Sequence, residues 1–309
     1  MQALIDVILP VFLVVGCGYG AVWRGWLNDT AIDGLLKFAQ GLAIPVLLFL
    51  AVARLDLAAV FDWRLLVSYY AGAITGFLAG LFGARFLFGR EWEDAVAVGF
   101  TCLFSNSVLL GLAISERAYG TASLGPNFAI IAVHAPLCYL IGTVTMEAVK
   151  ARGAGTGRIL VKVLRGLLGN PLLIGIGSGV AVNVSGLMLP RAALDAAELI
   201  GRAGLPTALF ALGGVLFRYR PEGDLRLIGY AVAVSLVLHP TITWTLGHWL
   251  GLEHGQMRAA VLTASMAPGV NAYLFANMYG RARRVAASTV LLATALSIGT
   301  AWGWMTLLG

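Results

Sequence analysis

The sequence predicts an all-α polytopic membrane protein of ten transmembrane helices, arranged as two inverted five-helix repeats. Three observations predict it: too little charge for a water-facing surface, apolar runs of membrane-spanning length from end to end, and halves that match at a nearly constant offset. Of the 309 residues 59% are hydrophobic and 12% charged, whereas a soluble domain is about 45–50% apolar and about 25% charged. A net charge of +6 raises the question of nucleic acid, but the basic residues form no aromatic-interleaved patch. They sit in short connections between apolar runs, so the lipid bilayer is the expected partner and nucleic acid is not. The first run lacks a basic leader and a small-residue cleavage site, and is expected to be a retained helix.

A membrane helix needs roughly 20 mainly apolar residues. Candidate spans of the first half lie at 3–23, 32–53, 65–88, 95–115 and 124–146. Those of the second lie at 167–187, 194–217, 227–250, 257–278 and 286–308. The domain organisation expected is one transporter unit: repeat one at 1–147, a basic cytoplasmic linker at 148–165, and repeat two at 166–309. Span 2 carries Ile44-Pro45 and Leu48-Phe49, which match Leu205-Pro206 and Leu209-Phe210 of span 7. Arg64-Leu65 entering span 3 matches Arg226-Leu227, and Tyr119-Gly120 closing span 4 matches Tyr279-Gly280. These offsets run from 160 to 162, in the same order along both halves.

Lysine and arginine counts give the orientation. With the N-terminus outside, fourteen fall in cytoplasmic connections and five in external ones, so both termini are predicted outside. Five spans per half is an odd number, so the second half enters the membrane inverted. Inverted repeats are characteristic of secondary transporters that alternate between inward- and outward-facing states. No His-Glu-x-x-His or Gly-x-Ser-Gly motif is present, the deep histidines have no evident nucleophile partner, and an enzyme with a bound cofactor is not expected. Cys17, Cys102 and Cys138 lie in apolar runs without paired spacing, and buried thiols are expected.

The chemistry is expected where the helices break. Span 4 holds Ser105-Asn106-Ser107 at its centre, and span 9 holds Pro268-Gly269 followed by Val270-Asn271. Proline lacks an N–H and glycine weakens a helix. Unpaired backbone groups in hydrocarbon cost several kcal/mol each, so such breaks persist where protein, water or ligand satisfies them. Matched breaks in both halves point to a binding site. Two inverted broken helices crossing near mid-depth aim two half-helix N-termini at one place, each with free N–H groups and about half a positive charge. That arrangement suits a small organic anion such as a carboxylate. Asn106, Ser107 and Asn271 could add donors, or could instead hydrogen-bond neighbouring helices.

Spans 4 and 9 resemble the auxin efflux carrier family, including its short bacterial members described as malonate or malate permeases. That family's first crossover reads roughly Gly-Asn-x-Gly-Phe-x-Gly-x-Pro. Asn106 and Gly111 match it, while Ser105, Val108, Leu109 and Ala113 stand for Gly, Gly, Phe and Pro. The second crossover matches at Ala267-Pro268, Val270 to Tyr273, Ala276 and Tyr279-Gly280. Asn170 to Leu173 and Pro206 through Gly213-Gly214 also look like it. The resemblance implies a ten-helix fold like that of bile-acid symporters and related sodium–proton antiporters. It further implies broken crossover helices 4 and 9, a scaffold moving against a crossover-containing transport domain, a bacterial inner (plasma) membrane location and a homodimer.

Ionisable and polar residues inside spans are functional candidates. Pro45, Pro206, Gln40, His134 and His239 are candidates for gating or coupling, with sodium or a proton as the coupled ion. The histidines lie deep in spans 5 and 8, each close to a proline. Either could carry a proton, or simply bond a neighbouring helix. A sodium- or proton-coupled symporter or antiporter of related fold with a different substrate remains the alternative; a sodium–proton antiporter wants acidic residues at mid-depth, and no aspartate pair lies there. Glu198 and Arg202, at i and i+4, are expected to neutralise each other. Lys37 is expected to snorkel, and Asp6 to be solvated near the outer interface.

Overall fold

The computed structural model describes residues 4–54, 62–150, 169, 171–219 and 222–309. Residues 151–165 of the predicted linker, the first residues of the sixth span and Asn170 lie outside the described residues. The chain within them is helical throughout, with a single isolated β-bridge and no strand. The helices are α1 (Ile5–Trp23), α2 (Asp29–Ala53), α3 (Trp63–Phe86), α4 (Trp92–Leu103), α5 (Leu112–Tyr119) and α6 (Gly125–Lys150). They continue as α7 (Pro171–Ser185), α8 (Arg191–Phe217), α9 (Leu225–Trp249), α10 (His254–Ala264), α11 (Val270–Tyr279) and α12 (Arg283–Leu308). Seven of these, α1, α2, α3, α6, α8, α9 and α12, are long and apolar enough to cross a membrane. The chain is a multi-pass membrane protein.

Local chemistry sets the helix ends. Asn28 accepts from the Ala31 N–H at 2.9 Å and caps α2. Asp62 accepts from the Arg64 N–H at 2.8 Å, and Asp224 from those of Arg226 and Leu227 at 3.0 and 3.3 Å, capping α3 and α9. Each satisfies an amide that the first helical turn leaves unpaired. The long helices are interrupted beside prolines. A π turn at Ala39–Ala43 precedes Pro45 in α2, another at Val234–Leu238 precedes Pro240 in α9, and α8 has a turn at Ala203 before Pro206. A proline ring crowds the carbonyl four residues back and removes a donor, so the helix widens or breaks there.

The helices sort into two compact units, each drawing on both predicted repeats. One holds α3 to α6 with α9 to α12; the other holds α1 from Pro10 onward with α2, α7 and α8. In the second unit, glycine permits backbones to touch. A Cβ at Gly18 would overlap the Phe210 carbonyl oxygen, one at Gly213 the Val15 carbonyl oxygen, and one at Gly175 the Pro45 carbonyl oxygen. Small residues serve this purpose in membranes, where dispersion rather than water expulsion drives helix association. Pro45, Pro206 and Gln40 belong to this unit, with Gln40 half-buried in the π turn of α2. Glu198 does meet Arg202, at 3.6 Å, but Arg54 is closer, at 2.9 Å.

One expectation about the thiols fails. Cys102 and Cys138 are buried, but Cys17 is exposed. Helix α1 is apolar nearly all round, so its hydropathy does not tell which side meets protein.

Gly18→Ala or Gly213→Ala is expected to lower the melting temperature of the purified protein, at a cost of about 1–3 kcal/mol, because a backbone carbonyl cannot swing aside. Gly20→Ala, with nothing within 4 Å, is the neutral control. Asp62 yields a pH dependence. Its carboxylate is held below the usual range, first by the Arg64 side-chain hydrogen bond, with the Arg64 amide and Gln256 assisting against burial. A depressed folded-state pKa adds stability at neutral pH that disappears as the pH falls through it. Asp62→Ala is therefore expected to cost about 1 kcal/mol near neutrality, with the gap from wild type closing below about pH 4 in thermal melts.

Candidate functional site

Both halves of the expected site lie in the unit formed by α3 to α6 and α9 to α12. Helix α4 stops at Leu103, and the chain runs extended through Phe104 and Ser105 before a π turn at Ser107–Gly111 leads into α5. Helix α10 stops at Ala264, and the chain becomes extended at Gly269 (φ −73°, ψ 163°) before α11. The two interruptions pair. The Asn106 N–H donates to the Ala267 carbonyl at 2.8 Å, and the Gly269 N–H donates to the Phe104 carbonyl at 2.9 Å. Ser105 and Pro268 face each other between these bonds as an antiparallel bridge. In that register neither facing residue uses its own N–H, so the proline forfeits nothing. Groups that would be orphaned in hydrocarbon satisfy one another.

The bridge brings two helix starts together. A Cβ on Gly269 would stand 3.6 Å from Asn106 Cα. Asn106 caps the first, its Oδ1 accepting from the Leu109 N–H at 3.2 Å. Its Nδ2 is buried with no partner among the described residues. Helix α11 has no side-chain cap, so the N–H groups of its first turn, at Val270 and Asn271, have no intrahelical acceptor. Ser105, Asn106, Ser107, Pro268, Gly269 and Val270 are all buried, and Asn271 is half-buried. The site thus presents neutral donors and two partial positive charges in a low-dielectric setting.

Aromatic packing holds the frame. The Phe100 ring on α4 and the Phe275 ring on α11 stack at 3.9 Å with planes 9° apart. Tyr139 on α6 donates to Asn271 Oδ1 at 3.3 Å. Tyr69 on α3 and Ser105 share a hydroxyl–hydroxyl bond of 2.6 Å. On α6, His134 Nε2 meets the Ser105 carbonyl at 3.2 Å, and Asn127 Nδ2 bonds Ser115 and Thr263 at 3.2 and 2.9 Å. His134 therefore bonds a neighbouring segment, the plainer of its two expected roles. His239 on α9 is also buried against the Tyr69 ring, with ring centroids 5.1 Å apart.

Tyr69, Tyr139 and Asn127 were not among the residues expected from the sequence. A hydroxyl or amide deep in an apolar span was the available signal, but its rotation about the helix was not. Ala113, which stands where the resembled motif has proline, lies buried within α5. The break falls several residues earlier, at 104–106, where pairing with the 267–269 segment holds it.

The sequence matches the family described as Membrane transport protein over residues 3–305. A protein of Rhizobium meliloti (strain 1021) named "Putative malonate transporter" is 25% identical over 315 residues, an alignment spanning 100% of this chain and 97% of that protein.

Ser105→Ala strands a fully buried Tyr69 hydroxyl, and is expected to cost about 1–3 kcal/mol in thermal or denaturant unfolding. Adding Tyr69→Phe should restore most of that loss, because both partners of the bond are then gone. A double-mutant cycle reads the difference.

Proposed function

Because this chain belongs to the membrane transport protein family, the auxin efflux carrier family that its motifs resemble, we propose that it is a secondary carrier of a small organic anion. Its substrate is a carboxylate, and malonate is the first ligand to try, given the name of the relative. The observation that carries this is the paired break. Two half-helix starts lie side by side in a membrane protein, with a buried Asn106 amide that has no partner among the described residues and no cationic side chain among the residues of the break. Backbone N–H groups at a helix start bind anions without the desolvation cost of burying a lysine or arginine.

In this account the substrate carboxylate is held by the first-turn N–H groups at Val270 and Asn271, by Asn106 Nδ2 and by the hydroxyl of Ser107. Ser105, Pro268 and Gly269 shape the backbone that presents them. The chain crosses the bilayer ten times, as two inverted five-helix repeats whose fourth and ninth spans cross at the breaks. It works by alternating access, with the α1, α2, α7 and α8 unit as scaffold. It resides in a bacterial inner membrane with both termini outside, and forms a homodimer. Pro45, Pro206 and Gln40 belong to elements that flex or line the path during the transition. Nothing in this scheme requires a catalytic step.

Purified protein is to be screened by thermal shift against mono- and dicarboxylates, with and without sodium, since a ligand that binds the folded state stabilises it by mass action. Malonate or a related carboxylate is expected to raise the melting temperature. Asn271→Ala and Pro268→Ala are expected to lose that shift, weakening affinity at least tenfold, or about 1.4 kcal/mol, and to cut uptake, while still inserting in the membrane. Full uptake in both variants would contradict the site.

A further inference from the structure

Behind the bridge lies a polar cluster that anion binding alone does not use. Tyr69 stands between two imidazoles, edge-on to His134 at 5.8 Å and to His239 at 5.1 Å. The two histidines differ in what their nitrogens meet. His134 Nε2 is engaged by the Ser105 carbonyl. His239, 1% exposed, packs on the Tyr69 ring, and its Nε2 has no partner among the described residues. In the tautomer protonated on Nδ1, that unpartnered Nε2 is a bare lone pair. That lone pair belongs to a ring lining a crevice shared with Ser105 and Pro268, the two residues of the bridge, and with Thr101, Cys102 and Ser235. The crevice is too narrow for a water molecule. A buried acceptor left unsatisfied costs free energy, and this one belongs to a ring that shares the crevice with the bridge.

We propose that His239 Nε2 takes up the proton that travels with the anion, making the carrier an anion–proton symporter; this rests on the assignment of the bridge as the anion site. The surrounding groups give the coupling its sign. The titratable neighbours are Tyr69 on α3, Cys102 at the end of α4 and, across the Tyr69 ring, His134 on α6. Helix α9 itself carries Arg226, Tyr230 and His248, α10 has His254 and Arg258 only in its first turns, and α12 has Arg283 and Arg284 only at its start. The 265–269 segment has no ionisable residue. Helix α4 carries Glu93 and Asp94 only in its first turn. Among the described residues no carboxylate lines the crevice, so an imidazolium at 239 has no counter-charge there until an anion arrives at the helix starts beside Ser105 and Pro268. The anion, in turn, has no cationic side chain at the break. Opposite charges at the bridge and on a ring that lines the same crevice attract strongly in a medium of low dielectric, so each strengthens binding of the other, and by the same factor. The balance is simple: Nε2 binds one proton from the aqueous side together with one anion, and both are released on the other side.

The test is isothermal titration of the purified full chain with malonate in buffers of different ionisation enthalpy, which counts protons taken up per anion bound. The window of about pH 7.5–8.5 keeps both carboxyl groups of malonate ionised, although the first charge raises the pKa of the second. Wild type is expected to take up about one proton per anion, with affinity weakening about tenfold per pH unit. His239→Gln is expected to bind malonate with no proton uptake and less than about twofold change across the window. Zero proton uptake by wild type, or an unchanged proton count in His239→Gln, overturns the proposal. Should the variant fail to fold, the wild-type count decides alone. A wild type that binds no carboxylate at any pH removes the anion site and this coupling together, whereas pH-independent binding removes only the coupling.

Discussion

Two backbone hydrogen bonds, from Asn106 to Ala267 and from Gly269 to Phe104, are the constraint on which the rest of the site depends. A helix broken inside hydrocarbon exposes amides and carbonyls at several kcal/mol apiece. Pairing the breaks removes that penalty and also sets the geometry. It puts two helix starts next to each other, turns Asn106 into a cap whose amide nitrogen faces no partner, and places a proline where no N–H is wanted. The same bridge joins chemistry to its surroundings, since Ser105 is bonded by Tyr69 from one side and His134 from another.

The arms leaving the bridge are tied again farther out. Helices α4 and α11 stack through Phe100 and Phe275. They are joined near their far ends by Arg281, which pairs with Glu91 at 2.8 Å and with Glu93. The Ala282 N–H adds a bond to Asp94 at 3.1 Å. Between α5 and α10, Asn127 on α6 bridges Ser115 and Thr263, and the Arg258 guanidinium lies 4.7 Å over the Tyr119 ring. The paired breaks are thus pinned at the centre and at both ends. Glycines admit neighbouring carbonyls in both units, at positions 72 and 99 in this one and at 18, 175 and 213 in the other.

Much of this was legible in the sequence, for reasons that are physical. The seven long apolar helices follow from hydropathy, because lipid imposes both length and apolarity. The second break is written in Pro268-Gly269 and the first in three polar residues at mid-span. Which groups complete them is not written, because the partners are more than 160 residues apart and a main-chain bond leaves no side-chain signature. Tyr69 and Tyr139 read as ordinary aromatic residues until the rotation of their helices is known. Cys17 shows the same gap from the opposite side: an apolar run says that a residue avoids water, not that it meets protein. The alanine at 113 shows that a motif proline can be dispensed with when tertiary pairing does its work.

The most direct test of the central claim is a cryo-EM map of the full chain at saturating malonate. The account predicts density for a carboxylate group within hydrogen-bond distance of the main-chain nitrogens of Val270 and Asn271 and of Asn106 Nδ2, with the Ser105–Pro268 bridge intact. Ordered malonate bound elsewhere, with those donors unoccupied, would contradict it.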